Sequence, residues 1–320
     1  MRDLAVAVTG VGAISPLGTG MAALRTGAVA SRQCRLPSAE PESAWHGMGE
    51  DLAEQGARAT LLAIAASRMA LAGRGDGPLP ETAGIVLGTS LPDLGAVEEH
   101  RRTFDGQGSE ALSPLILHYS LPLSHAGFAA VTLGLPGPVE THAEPVLAGL
   151  SAIGHAARSI AGGESELLLA GGVDSPTGRI LAQPLRDALG IEPSEACAIL
   201  ALEPAAGSGH AVAIEGFALR FVGCDVQRKA ALVRAVAKGD LDTVIAPESL
   251  PDPLPGAMAG GAAMACAWAA LVLERREPPP PPPGWARDLS RPGKVADRIV
   301  VFAESPGGFA GALLMKAAGL

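Results

Sequence analysis

Residues 147–172 read LAGLSAIGHAARSIAGGESELLLAGG, and this stretch decides the fold class. Its alanine-rich first part, Leu147 to Ala161, predicts a helix, and Gly162-Gly163 directly after it are typical C-cap residues. Leu167 to Ala170 form a short apolar run that ends at Gly171-Gly172, which predicts a buried strand. A helix that leads within a few residues into a fully apolar strand is the unit of layered α/β proteins.

The same alternation continues on both sides of this unit. Further strands are predicted at Leu4–Thr9, Gly84–Leu87, Val139–Thr141, Ala198–Leu202, Ala211–Leu219, Thr243–Ala246, Ile299–Phe302 and Ala310–Met315. Further helices are predicted at Ala57–Ala72, Gln227–Lys238 and Ala259–Glu274. The series occurs twice, with a seam near Pro204 to Gly209, so the sequence predicts α/β layering around a mostly parallel sheet.

Composition and charge exclude several classes of protein. The chain has 320 residues, of which 48% are hydrophobic and 18% charged, a balance that favours a folded core over disorder. With 24 Lys and Arg against 33 Asp and Glu, the net charge is −9, which argues against nucleic acid or anionic lipid as a partner. The longest apolar run, Ala257 to Leu273, is mostly Ala and Gly, and we interpret it as a buried core helix rather than a membrane span.

The cysteines indicate the cellular compartment. Cys34, Cys197, Cys224 and Cys266 are scattered, and no two of them have the spacing of metal ligands. We interpret all four as buried, reduced thiols, as expected for a cytoplasmic protein. The sequence therefore predicts no metal centre, and we expect no bound cofactor.

The glycine-rich start of the chain has two interpretations. Val8 to Gly18 read VTGVGAISPLG, which invites comparison with dinucleotide-binding loops, but the third glycine of that motif would fall on Ser15 and Pro16 would interrupt the helix that meets a pyrophosphate. The phrase instead resembles the opening of the β-ketoacyl synthases, VTGxGxxxPxG. Segments that resemble later parts of this family follow in the family's order: Gly88–Ser90, Ser113–Pro138, Gly149–Gly172, Ser194–Glu203 and Glu304–Met315.

This resemblance covers nearly the whole chain and implies the thiolase-like α/β fold, in which two duplicated βαβ-rich halves form five layers. The halves would be residues 1–205 and a shortened 206–320. The resemblance also implies a dimer and a decarboxylative condensation, in which a Cys thiolate on a strand–helix elbow carries the acyl chain. Two His residues and a Lys complete the site of the family.

The resemblance also locates the positions of these catalytic groups, and all of them are replaced. Thr141 to Leu150 corresponds to the nucleophile phrase TxxTACAxGL, and its Cys position is Val146. The two His positions are Pro247, in the stretch that matches AHGTGT, and Ala257, in the stretch that matches GHxxGAAGA. The Lys position is Asp252. We therefore expect no catalytic residue here and, because the Val146 side chain cannot hydrogen-bond, no decarboxylase activity.

A relocated nucleophile is an alternative. Cys266 lies in the long apolar helix, Ser151 lies in GLSAI, a near match to GxSxG, and His142 and Glu144 flank the elbow at i, i+2. Such residues are typical of a packed core or of a polar or dimer-interface surface. They would also allow an acyltransferase or hydrolase on the same fold.

Ketosynthase-like chains without the Cys act in this family as chain length factors, which pair with an active Cys-His-His subunit in type II polyketide and polyene synthesis. The sequence resembles such a subunit, and a homodimeric acyl-binding scaffold is a third alternative. We expect an acyl carrier protein to dock mainly on the active partner, because this chain is itself acidic. The candidate partner-interface or tunnel residues are Leu115, Leu117, His118, Ser120, Val139, Thr141, Ala143 and Phe309.

Overall fold

The computed structural model describes residues 4–20, 58–74, 77–91, 94–114, 121–176, 183–184, 186–187, 192–206, 210–250, 254–291, 293 and 295–318. Its strands are β1 (Val6–Ser15), β2 (Gly18–Thr19), β3 (Gly84–Thr89), β4 (Val139–Ala143), β5 (Leu168–Asp174), β6 (Ala196–Pro204), β7 (Val212–Phe221), β8 (Thr243–Ile245), β9 (Arg298–Glu304) and β10 (Phe309–Ala317). Its α-helices are α1 (Arg58–Leu71), α2 (Leu94–Gln107), α3 (Pro122–Leu133), α4 (Ala148–Ala161), α5 (Val226–Ala237) and α6 (Met258–Glu274). Short 3-10 helices lie at Ser109–Ala111, Pro247–Ser249, Leu254–Ala257 and Gly284–Leu289.

The strands form two half-sheets that meet at one narrow junction. The strand order is β4-β3-β5-β6-β1-β7-β10-β9-β8, and β2 pairs with β1 at the side. Strands β1 and β7 pair over two residues only, Val6 with Ile214 and Ala7 with Ala213. The first half-sheet (β4, β3, β5, β6, β1) and the second half-sheet (β7, β10, β9, β8) can therefore diverge beyond this junction.

The order of elements repeats along the chain, which confirms the predicted duplicated α/β fold. The first half runs from β1 and α1 through β3 and α4 to β5 and β6, and the second runs from β7 and α5 through β8 and α6 to β9 and β10. Within the described residues, the second half has no counterpart of β4 before its long helix. The division at residues 205 and 206 stays a prediction.

The prediction of a mostly parallel sheet is wrong. Only β3–β4, β3–β5 and β8–β9 are parallel among the described pairs, and the remaining pairs are antiparallel. Short connections cause part of this difference: β9 returns into β10 through the turn after Glu304, where Gly308 has a φ of 83°. A tight turn joins antiparallel neighbours, whereas a parallel pair needs a long crossover.

Three clusters of buried hydrophobic side chains separate the five layers of helices and half-sheets. In the middle, α4 and α6 pack between the half-sheets, with Ile153 and Met264 fully buried in one cluster that also includes strand residues of both half-sheets. Helices α1 and α3 cover the outer face of the first half-sheet around Leu62. Helix α5 covers the second half-sheet around Val233. The apolar run predicted as a core helix is α6, and no helix of the described part of the chain could cross a membrane.

Two of the glycine-rich stretches are strand interior rather than turns. Strand β1 runs through Gly10 and Gly12, and β5 runs through Gly171 and Gly172. A Cβ on Gly12 would lie 1.8 Å from the carbonyl oxygen of Ala66 in α1, so this strand position has room only for hydrogen. Glycine in a strand here marks a close approach of a second backbone and not the end of the element.

Other expectations on local structure also change. Helices α2 and α3 were not predicted: α2 is largely polar and exposed, and α3 is only 12 residues long and contains Gly127. Cys224, expected to be buried, is exposed in the turn that precedes α5, while Cys197 and Cys266 are buried as expected. Cys34 lies outside the described residues.

We expect the Gly149→Ala substitution to destabilise the fold, because a Cβ on Gly149 of α4 would lie 2.2 Å from the Ala259 carbonyl oxygen of α6. Forcing these backbones apart should lower the free energy of unfolding by about 1–3 kcal/mol in a urea titration. The matched control is Gly127→Ala in α3, where an added Cβ meets nothing within 4 Å. That change should instead stabilise by up to about 1 kcal/mol, and equal effects of the two substitutions would contradict this packing argument.

Candidate functional site

The connection from β4 to α4 has the geometry of a strained elbow. Val146 has a φ of 63°, in the left-handed region that a β-branched residue rarely occupies. Its N–H donates to Ser90 Oγ at 3.1 Å, and the N–H of Leu147 next to it donates to the Pro145 carbonyl at 2.6 Å. These hydrogen bonds therefore stabilise a backbone conformation that the valine side chain disfavours.

Ser90 joins the elbow to the start of the second central helix. Its Oγ accepts hydrogen bonds from the N–H of Val146 and from the N–H of Ala259, each at 3.1 Å. The same hydroxyl donates to the carbonyl oxygen of Glu144 at 3.4 Å. One hydroxyl at the end of β3 thus contacts the elbow and the first turn of α6. The sequence signal for this residue is its place directly after a buried strand.

Asp174, at the end of β5, completes the connection. Its Oδ1 accepts from the N–H groups of Ser90 at 2.8 Å and Leu91 at 3.2 Å and from Thr89 Oγ1 at 3.0 Å, and its Oδ2 accepts from the N–H of Ala259 at 2.8 Å. Burial raises the pKa of the Asp174 carboxyl to about 6, although these hydrogen bonds oppose the rise. This carboxyl therefore stabilises a junction between two strand ends and a helix start.

Three of the four positions that replace the family's catalytic groups lie among the described residues, and the elbow residue Val146 is one of them. Pro247 is buried and opens the 3-10 helix after β8. Ala257 is fully buried and is followed by Met258, whose φ of 46° opens α6, so both central helices start beside a strained residue. Asp252 lies outside the described residues. Valine, proline and alanine side chains supply no nucleophile, no proton acceptor and no donor.

The structure brings together several residues that the sequence singled out separately. His142 Nδ1 lies 3.3 Å from Ser151 Oγ, and the rings of His142 and His155 lie 4.7 Å apart. Desolvation lowers the pKa of both imidazoles. Glu144 does not pair with His142: its Oε2 is buried and accepts no hydrogen bond from the described residues.

Cys266 does not have the environment of a nucleophile. It is fully buried in α6, and burial raises the pKa of its thiol. The reactive form of cysteine is the thiolate, which such an apolar site disfavours. No group of three or more His, Cys, Asp or Glu side chains able to hold a metal ion occurs in the part of the chain that the structure describes.

The predicted interface residues fall into three groups. Val139, Thr141 and Ala143 lie on β4, which is an edge strand of the first half-sheet and leaves the Val139 side chain 45% exposed. Phe309 starts β10 in the other half of the fold and packs edge-to-face against Phe221. The remaining candidates lie outside the described residues: Leu115, Leu117, His118 and Ser120. An exposed edge strand is the part of this set that a partner chain could extend.

Replacing Val146 tests whether the elbow is strained. Because glycine adopts a positive φ without a steric penalty, we expect Val146→Gly to be more stable than Val146→Ala by about 1 kcal/mol in thermal or urea unfolding. The same pair of substitutions at Val139, in regular strand, should give the opposite order, because glycine is the poorer strand residue. If alanine proved the more stable residue at both positions, the elbow would not be strained.

Known proteins resemble this chain in sequence. The family model of the β-ketoacyl synthase N-terminal domain matches residues 26–219. The 3-oxoacyl-[acyl-carrier-protein] synthase 2 of Rhizobium meliloti (strain 1021) is 28% identical over 201 residues, which are 55% of this chain and 48% of that protein. The chain thus spans about half the length of this curated relative.

Solved structures share the fold over nearly the whole chain. A type II PKS acyl-carrier protein in complex with its ketosynthase bound to the hexaketide (AntDE:AntF) includes a chain that matches with a TM-score of 0.78 at 19% identity, covering 99% of this chain and 100% of that one. A ketosynthase (ApeO) in complex with its chain length factor (ApeC) from Xenorhabdus doucetiae matches with a TM-score of 0.70 at 15% identity, covering 98% of each chain. At these identities the likeness concerns the thiolase-like fold. Since the family model matches more than half of the residues, the chain belongs to the β-ketoacyl synthase family.

Proposed function

We propose that this chain is a non-catalytic ketosynthase-like subunit, a chain length factor, that pairs with an active Cys-His-His ketosynthase in type II polyketide, polyene or fatty-acid-like synthesis. The observation that carries the proposal is the elbow. The strained backbone of the elbow and its hydrogen bond to Ser90 are present, but the residue at the nucleophile position is Val146.

The chemistry of condensation explains why this observation matters. The reaction needs a thiolate to hold the acyl chain and donors to stabilise the enolate that forms as carbon dioxide leaves. Val146, Pro247 and Ala257 supply neither function. A covalent acyl intermediate therefore has no attachment point at this elbow, and the acyl chain would be carried by the partner.

The surface of the first half-sheet supports pairing with a second chain. Among the described residues, strand β4 has no neighbour on its outer edge, and α3 beside it carries exposed apolar side chains, among them Leu123 and Val131. Uncovered edges and apolar patches are hazards that stable proteins cover, commonly with a partner. The ApeO–ApeC complex named above joins a ketosynthase to its chain length factor, and one of its chains shares this fold, which supports the proposed pairing.

The net charge, the cysteines and the chemistry of condensation support the remaining features of the proposed role. A chain with a net charge of −9 is a poor docking surface for an acidic carrier protein, so the carrier protein would dock on the active subunit. The free cysteines of the described residues and a partner of this kind support a cytoplasmic location for the proposed complex. Thiolase-like condensation uses no cofactor, so the proposed subunit needs none.

Ser151 supports a second candidate, an acyltransferase or hydrolase with a relocated nucleophile, because His142 lies within 3.3 Å of its hydroxyl. The first proposal is the stronger one, because the Ser151 side chain is buried and lies within a helix rather than on the elbow. Incubation with a reactive acyl thioester followed by peptide mass spectrometry separates the two. Acylation at Ser151 would establish the alternative.

The pairing is tested by co-expressing the chain with the active ketosynthase encoded beside it and measuring the yield of one-to-one complex. We expect Val139→Asp to reduce that yield at least tenfold, because it places a charge on the edge strand that the partner covers. The matched control is Val226→Asp at the start of α5, since the two valines are 45% and 46% exposed. Loss of the complex with both variants, or with neither, would count against β4 as the interface.

The absence of condensing chemistry is tested on the pure chain. With malonyl carrier protein as the substrate, we expect carbon dioxide release no faster than in a protein-free blank, because Val146 can neither attack nor donate. The complex with the active subunit serves as the positive control. Release by the pure chain clearly above the blank would refute the non-catalytic assignment.

A further inference from the structure

The edge strand β4 carries an acidic and a basic residue on the same face. Glu140 and His142 are two residues apart, so both side chains lie on the side of the strand that faces α4. The Glu140 side chain is 57% exposed and the His142 side chain is 18% exposed, with 4.0 Å between Glu140 Oε2 and His142 Nε2. The acidic group therefore lies at the rim of the surface that a paired chain would cover.

Among the described residues, the basic groups near this pair do not form an ion pair between Glu140 and a lysine or arginine. From α4, His155 contacts the His142 ring and Arg158 lies near His155. Arg158 is directed at β7, where it donates to the Phe217 carbonyl at 3.2 Å and lies 4.8 Å from the ring centroid of Phe217. No lysine or arginine of the described residues lies within ion-pair distance of Glu140.

The other elements packed against β4 add no cation. Glu144, just beyond the strand, contributes a second negative charge near His155. Strand β3 (Gly84–Thr89) carries no titratable side chain. His125 of α3 is fully buried, and its Nδ1 lies 3.0 Å from Thr60 Oγ1 of α1. Covering the edge would therefore desolvate the Glu140 carboxylate, at a cost that a cation from the partner would offset most strongly.

The register of pairing determines which partner residue faces Glu140. An antiparallel pair of β4 strands centred on Thr141 uses all five residues of the strand and places Glu140 opposite the second copy's position 142. Centring on residue 140 or 142 would place Glu opposite Glu or His opposite His, and would leave strand ends unpaired. The Thr141-centred register is therefore the one that two copies of this strand favour.

We infer that Glu140 selects the partner of this edge by charge, so that β4 accepts a strand with arginine or lysine opposite Glu140 and rejects a second copy of itself at neutral pH. The inference rests on the proposed function, because the cation-bearing partner is the active ketosynthase. In a self-paired dimer, the residue opposite each Glu140 is a histidine.

The state of that histidine makes self-pairing dependent on pH. Desolvation lowers the pKa of His142, so its imidazole is neutral at pH 7.5 and both Glu140 carboxylates of a homodimer stay uncompensated. In the dimer each imidazolium would face a carboxylate, so the dimer binds protons more tightly than the monomer. Self-association consequently strengthens as the pH falls, and it weakens as the pH rises.

Sedimentation velocity on the pure full-length chain tests the inference with a second copy as the probe. At pH 5.8 we expect the dissociation constant of the homodimer to be at least tenfold lower than at pH 7.5. The His142→Arg variant places a permanent cation opposite Glu140 and should self-associate at least tenfold more tightly than the wild type at pH 7.5. The Glu140→Gln variant should lose the pH dependence, to within twofold.

Two matched variants control for the charge changes themselves. His210→Arg and Glu274→Gln alter the same residue types far along the chain from β4, and both should behave like the wild type. Circular dichroism at both pH values confirms that each variant is folded. Homodimers that are equally tight at both pH values, or an unchanged His142→Arg variant, would overturn the inference. Failure of the co-expressed complex described above would instead overturn the proposed function, so the two failures are distinguishable.

Discussion

The close backbone contact between the two central helices is the constraint on which the rest of the structure depends. A Cβ on Gly149 of α4 would lie 2.2 Å from the Ala259 carbonyl oxygen of α6, and a Cβ on Gly172 of β5 would lie 2.5 Å from the same oxygen. Three backbones therefore meet at one point, where both helices begin. Any larger residue would separate the helix starts, and with them the elbow and the two strained residues, Val146 and Met258.

This constraint explains why the elbow can keep its backbone conformation with a valine at position 146. The conformation of Val146 depends on backbone groups and on Ser90 and Asp174, and none of these contacts involves the side chain at position 146. The positive φ of a valine costs about 1–3 kcal/mol, which is tolerable when several buried hydrogen bonds fix the surrounding chain. The shape of the elbow thus does not require a nucleophilic side chain at position 146.

Much of the fold follows from local sequence patterns, but the site follows from contacts that such patterns do not contain. The helix that ends before Gly162-Gly163 was predicted to within one residue at both ends, and so was the start of the strand after it, because capping and apolar runs are local signals. The strand itself continues four residues beyond the predicted end, to Asp174. Gly171 and Gly172 were interpreted as the end of the strand although they lie inside it, since the reason for each glycine is a backbone that is distant in sequence. The hydrogen bonds of Asp174 likewise join residues about 85 positions apart, and a single sequence gives no measure of such pairs.

In the proposed role, the absence of catalytic groups at the elbow changes what the neighbouring edge strand must do. In a chain that carries its own thiolate, β4 only has to bring two active copies together, and self-pairing is an advantage. In a chain without one, a homodimer holds two inert elbows, so the interface is useful only if it prefers a different strand. The exposed carboxylate of Glu140, whose nearest described basic group is a weakly basic histidine, would supply that preference through desolvation rather than through shape. Under the proposed function, the charge on the edge and the apolar residue at the elbow are two consequences of one change in role.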